Sequence, residues 1–322
     1  MEHSEQQPAQ QTLAQQPRLL ETPRRVKASQ GMKWISQAWK IYRRNKVKWP
    51  AMFLTFFLIS LLTQWLVQGL MPLNPYAGIP RSQQDNIGFS IFFFLTTPLL
   101  SFLGAWINML FSGGIMYACN RSATYGELKF KHLFAAFASK KKAFFIFLLF
   151  YLAAVVVAAI LFATVFTAGM ITTPEPNPAT SPLPLILSTF VVLIIFFVLL
   201  LMSIWFAPCL IMLHDVKPWA AMKMSFTACL RNIPAGIVNI LMWIVIYIGL
   251  IVGICIIAGI AIGVFALLFG KTVPSFAGTG IVAFGIIAYI VLILSALVLA
   301  VLASINIYTA YRNLLTDAPL EN

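Results

Sequence analysis
Four amides sit inside apolar runs of this chain and are its clearest candidates for chemistry: Asn108, Asn239, Asn306 and Gln64. Gln68 follows Gln64 one helical turn later. A carboxamide in hydrocarbon has to find a hydrogen-bond partner, so these side chains are expected to face other helices. Two chemistries fit. The amides could line a polar pathway between helices, or they could tie helices together. None of the apolar runs holds an Asp, Glu, Lys, Arg or His. Ion-coupled transport leaves a titratable group at that depth, so tying is the better reading.

Other chemistries find no footing. The three histidines are His3, His132 and His214, and no set of Cys, His and carboxylates has metal-ligand spacing. His214 and Asp215 are adjacent, and neighbours in sequence point apart on a helix, so they read as a polar helix end. Cys119, Cys209, Cys229 and Cys255 contain no C-x-x-C pair and are expected to be free thiols. There is no phosphate or dinucleotide loop and no nucleophile with a base. We therefore expect no enzyme, no metal and no cofactor. Gly249-x-x-x-Gly253 and Gly259-x-x-x-Gly263 suggest close helix packing. Pro98, Pro208 and Gly113-Gly114 suggest bends.

The elements that must position these residues are apolar helices. The chain has 322 residues, 60% of them hydrophobic and 10% charged, with a mean hydropathy of +0.88. A soluble domain carries about 25% charged residues. A spanning helix needs about 20 apolar residues. Six runs qualify: 50–71, 89–119, 143–171, 185–213, 234–269 and 281–311. The longer ones should tilt or kink. Residues 1–48 hold 10 Lys and Arg, 120–142 hold 6, 214–233 hold 3, and Arg312 follows the last run. The other gaps hold only Arg81 and Lys271. The positive-inside rule then places both termini in the cytosol. Residues 1–30, rich in Gln and lacking an apolar core, read as a disordered cytosolic tail rather than a signal peptide. Residues 316–322 form a short cytosolic tail. The net charge of +13 follows from orientation and points to anionic phospholipid, with no nucleic-acid partner.

Each basic stretch before an odd-numbered run reads as a helix lying on the membrane. In residues 32–46, Trp34, Ile35, Ala38, Trp39, Ile41 and Tyr42 share one face, opposite Lys33, Lys40, Arg43 and Arg44. In 128–140, Phe130, Leu133, Phe134 and Phe137 oppose Lys129, His132 and Lys140. In Pro218–Arg231, Trp219, Met222, Phe226 and Leu230 share a face, and Lys223 adds charge. Aromatics sink to the headgroup boundary and cations meet anionic lipid. Trp39, Phe134 and Phe226 superpose at spacings of 95 and 92 residues, and Asn45 and Asn232 each follow six residues after their aromatic. The fold class expected is therefore all-α and polytopic. Six transmembrane helices would form three parallel repeats, near 31–119, 120–213 and 214–312, within a membrane domain over 31–315. Parallel repeats relate by an axis along the membrane normal.

The stretch from Phe206-Ala207-Pro208-Cys209 through His214-Asp215 and Pro218-Trp219 to Arg231-Asn232 resembles a family of proteobacterial six-span inner-membrane proteins without an assigned activity. Trp34-Ile35-x-x-Ala38-Trp39 with Asn45 resembles that family's first surface helix. The resemblance covers residues 31–315. It implies a bacterial inner-membrane location and supplies no catalytic residues. More remotely, the arrangement is similar to membrane domains fused to some glycerophosphodiester phosphodiesterases, whose catalytic domain this chain lacks. Two functions remain open. One is a non-enzymatic membrane protein of envelope or lipid homeostasis, contacting anionic lipid or a partner through its basic helices. The other is a transporter or lipid-moving protein with a path lined by Asn108, Asn239 and Asn306.

Overall fold
A computed structural model describes residues 17–70, 87–171, 183–269 and 274–320. The outer segments 72–88 and 172–184, with Arg81 and Lys271, fall wholly or mostly outside the described residues. So do the side chains of Gln68 and Pro98. The described residues are helical, with no strand among them. In order, the helices are α1 (Gln30–Arg44), α2 (Lys48–Leu70), α3 (Ile87–Tyr125), α4 (Ala135–Ser139), α5 (Lys141–Ile171), α6 (Leu183–Ile204), α7 (Ala207–His214), α8 (Pro218–Arg231), α9 (Ile233–Phe269) and α10 (Pro274–Leu315). A 3₁₀ turn, Phe130–Phe134, precedes α4. Among the described residues, six helical stretches are long and apolar enough to cross a membrane.

Three expectations are sharpened or corrected. The fourth apolar run remains one candidate span, Leu187–His214, and the bend expected at Pro208 is a break into two helices, because Pro208 has no N–H and its ring crowds the carbonyl of Ile204, where α6 ends. The backbone groups freed by the break are met from α8. Ser225 accepts from the Phe206 N–H at 2.9 Å and donates to the Met202 carbonyl at 2.8 Å. In low dielectric this local satisfaction is what makes an interrupted helix tolerable.

The second correction concerns residues 128–140, which form a 3₁₀ turn and a short helix instead of one surface helix. This turns His132 inward and leaves Phe130 and Phe134 exposed. The third concerns residues 17–29, which are not free. The Val26 N–H donates to Asn232 Oδ1 at 2.8 Å, and Asn232 Nδ2 donates to the Arg24 carbonyl at 2.8 Å. Leu20 and Arg24 donate their N–H groups to the carbonyls of Leu315 and Leu314 at 2.9 and 2.8 Å. Leu19 pairs with Thr316, so the two terminal segments meet at one end of the bundle. That end also carries the basic residues, and we call it the basic end.

The packed core is gathered there. Trp49, Phe111, Phe144, Leu210, Ile305 and Tyr308 are among its fully buried members. Away from this end the helices keep mainly to their hairpin partners. From Ile240 to Leu268 no described residue of α9 is buried. Such surfaces are stable against lipid tails, which are as apolar as the side chains they touch.

Two glycines permit the tightest approaches. A Cβ on Gly31 would lie 2.2 Å from the Ala235 carbonyl oxygen, and one on Gly114 would lie 1.8 Å from that of Leu133. Gly31 seats α1 on α9, and Gly114 seats the 3₁₀ turn on α3. Gly249, Gly253, Gly259 and Gly263, expected to mediate packing, have nothing within 4 Å of a built Cβ.

Candidate functional site
The buried amides are arranged as ties. Asn239 on α9 and Asn306 on α10 exchange hydrogen bonds, Nδ2 to Oδ1, at 3.2 and 3.0 Å. Asn239 Nδ2 also donates to the Gly31 carbonyl at 2.9 Å. One turn on, Thr309 donates to the Trp34 carbonyl at 3.0 Å. α1 is thereby fastened to α9 and α10 through two of its own carbonyls. Asn108, exposed on α3 and so not one of the buried amides, belongs to a different tie: it accepts from Ser60 at 2.9 Å, joining α2 to α3, and donates to the Gly104 carbonyl of its own helix at 2.8 Å. Gln64 is exposed on α2. The three asparagines expected to line one groove therefore bond in two separate hairpins. A buried amide with both functions satisfied rigidifies an interface.

A second polar layer, at the ends of α3, α7 and α10, was not anticipated. Arg312 is buried and donates from Nη1 to the Tyr308 hydroxyl at 2.8 Å. Tyr308 donates in turn to Asn120 Oδ1 at 2.9 Å. The His214 Nε2 and the Tyr311 hydroxyl are hydrogen-bonded to each other. Asn313 Nδ2 donates to Gln37 Oε1 at 2.7 Å, linking α10 to α1. A signal for this layer was present. Asn120, His214 and Arg312 end the second, fourth and sixth runs, 94 and 98 residues apart, close to the spacing of the surface aromatics.

Around these layers stands a collar of cations. Lys40, Arg43 and Arg44 are exposed on α1, Lys129 beside the 3₁₀ turn, and Lys223 on α8. Twenty Lys and Arg are described at this end, against four carboxylates: Glu21, Glu127, Asp215 and Asp317. Glu127 is engaged by Arg121 at 3.1 Å and Lys129 at 3.3 Å, and these partners hold its carboxyl below the usual range. Asp215 pairs with Lys140, which is half-buried and so is not free to meet a lipid as expected. Burial, followed by the charges of Arg121 and Lys131, holds His132 below its ordinary pKa. It stays a neutral acceptor for the Lys129 N–H at 3.3 Å.

The aromatics divide. Trp34 is only 3% exposed, so its apolar face meets α9 and α10 rather than lipid. Trp39 and Trp219 are 44% and 52% exposed, and Lys223 lies 5.2 Å above the Trp219 ring. The structure thus uses the apolar stripe of α1 inside the protein and leaves the helix edge outside. Amphipathicity alone does not distinguish those two uses.

Burial pushes the Cys229 thiol up to about 12, which makes it a poor nucleophile at neutral pH. Among the described residues no group of three or more His, Cys, Asp or Glu is placed to hold a metal ion. No family model, curated protein or solved structure matches the chain.

Proposed function
We propose that this chain is a non-enzymatic, multi-pass membrane protein whose rigid basic collar binds anionic phospholipid headgroups, with a role in envelope or lipid homeostasis. The observation that carries this is the charge imbalance at the basic end, where exposed cations far outnumber carboxylates. An anionic leaflet supplies the missing counter-charge at about 1 kcal/mol per cation. On this reading the basic end is cytosolic, both termini included, and the membrane is the bacterial inner membrane implied by the family resemblance.

The contacts also favour three parallel repeats closed into a ring. The 3₁₀–α4 segment packs on α3, with lesser contact to α2, and α8 packs on α5 and α6. Each thus sits on the hairpin before it in sequence. α1, the first described helix, packs on the last hairpin, α9 and α10. Such a head-to-tail pattern is what a pseudo-threefold arrangement produces.

A lipid-moving protein is the second reading. It draws on the exposed outer halves of α9 and α10, which leave room for lipid beside the third hairpin. The separate ties of Asn108 and of Asn239–Asn306 weigh against a shared polar path.

The full chain is the object to test, because α1 is fastened into the bundle. In mixed micelles, quenching of its tryptophans by brominated phosphatidylglycerol and brominated phosphatidylcholine reports relative binding. We expect the anionic lipid to be preferred, and Lys40→Gln, Arg43→Gln and Arg44→Gln to reduce that preference by about fivefold per charge at the site they line. An unchanged preference in the triple variant would remove the electrostatic part of the proposal.

A further inference from the structure
Among the described residues, Arg312 is a buried cation with no carboxylate partner. No ion pair involving it occurs among the described residues, and every acceptor it uses is neutral. Nη1 reaches the Tyr308 hydroxyl at 2.8 Å and Thr124 Oγ1 at 3.4 Å. Nε and Nη2 converge on one atom, the Ala318 carbonyl oxygen, at 3.2 and 2.8 Å. Two guanidinium donors meeting on one side is the geometry with which arginine grips a carboxylate or phosphate. A burial of charge this complete ordinarily comes with an opposite charge. Here a backbone carbonyl stands in that place.

The carbonyl belongs to a strap. Residues 316–320 double back after α10, with residues 317–319 exposed on top. The strap is pinned at its far end, where Gln37 Nε2 donates to the Leu320 carbonyl at 2.8 Å and the Leu320 N–H donates to Asn313 Oδ1 at 3.0 Å. The Asp317 N–H also donates to the Arg18 carbonyl at 3.0 Å. These bonds hold a short exposed segment. Arg312, by contrast, is fixed from below by Tyr308, itself buried and bonded to Asn120. Arg312 is thus held from within the bundle, whereas its cover is held from the exposed side, where Asp317 also accepts from the Arg18 N–H at 2.8 Å and from the Arg24 guanidinium at 3.1 Å.

We propose that the Arg312 guanidinium, held in place by Tyr308 and Thr124, forms a binding site for a phosphate group, and that the chain's own 316–320 strap occupies it as a competing ligand. The group comes either from a phospholipid headgroup of the facing leaflet or from free phosphate. The site rests on the lipid reading of the collar only for the first source.

The test uses the protein reconstituted in phosphatidylcholine nanodiscs, with three forms compared. They are the intact chain, a chain ending at Leu315, and intact Asn313→Ala, which loosens the strap without touching Arg312. The probes are inorganic phosphate by titration calorimetry and phosphatidylglycerol, doped into the disc, by phosphorus NMR. Removing a cover that is closed nine-tenths of the time tightens apparent affinity about tenfold. We expect that gain in the shortened chain, a smaller gain in Asn313→Ala, and loss of both when Arg312→Gln is added. A gain with phosphate alone assigns the site to the free anion, and a gain with the lipid alone assigns it to the headgroup. No gain in either strap variant overturns the proposal, and so does a gain that survives Arg312→Gln. Lipid preference lost with the α1 cations but indifferent to Arg312 and the strap would leave the collar standing and this site refuted.

Discussion

Replacing Gly114 with alanine is expected to unseat the 3₁₀–α4 segment and cost about 3 kcal/mol, at the upper end of overpacking effects. The added methyl would lie 1.8 Å from the Leu133 carbonyl oxygen and 2.6 Å from its carbon. Both are backbone atoms, so no side-chain rotation relieves the contact. The segment would have to lift from α3, and buried Leu133 and His132 would lift with it. Thermal unfolding of the detergent-solubilised chain reads the loss directly. Gly253→Ala is the matched control, since nothing lies within 4 Å of its built Cβ. There alanine should be neutral or stabilise by up to about 1 kcal/mol through helix propensity. Equal stability of the two variants would mean that the 3₁₀ turn does not sit on Gly114.

The second large effect lies at the amide pair. Asn306→Leu removes both bonds to Asn239 and leaves the Asn239 carbonyl oxygen without its partner. An unsatisfied buried polar group costs about 1–3 kcal/mol. The loss should exceed that of the double variant Asn239→Leu/Asn306→Leu corrected for the lost bond to Gly31, because two leucines leave no orphan at the α9–α10 contact. Unfolding measured around this double-mutant cycle gives the coupling between the two amides. Additive losses would mean that the pair does not interact in the folded protein. A coupling near 1 kcal/mol or above would identify it as a tie between hairpin partners, with α1 as third member.

The helices themselves were legible, because long apolar runs have few alternatives to helix when backbone groups must be satisfied internally. Their bounds shifted by a few residues, and one run broke at Pro208, whose position had marked a bend. The bounds of the helix before the fifth run were legible to the residue, with Pro218 at its first position. The stretch before the third run was not. Its Phe spacing resembles a helical stripe, whereas Gly114 on α3 lets the Leu133 backbone come close and the local fold is a 3₁₀ turn.

Trp34 shows the limit of amphipathic patterns. A stripe reports that a face is buried, and only tertiary contacts say whether protein or lipid covers it. The fastening of residues 17–29 was hidden for a related reason. It depends on Asn232 bonding to main-chain atoms of residues 24 and 26, which leave no mark in composition. Arg312 read as one more orienting cation. Its burial under the 316–320 strap arises from a chain reversal after Leu315 that no apolar period encodes.

The account rests on a sealed basic end whose chemistry faces outward. Cys119 on α3 and Cys209 on α7 lie within that seal and are wholly buried, while Cys229 on α8 is partly exposed. The most direct measurement is therefore labelling of the native thiols in membrane vesicles with a membrane-impermeant maleimide, added separately from each side and mapped by peptide mass. The account predicts that Cys229 reacts slowly from the basic side and that Cys119 and Cys209 stay unmodified from both sides. Labelling of Cys119 or Cys209 in the folded protein would contradict it, because water would then reach the axis of the bundle and a pathway would replace the collar as the functional centre.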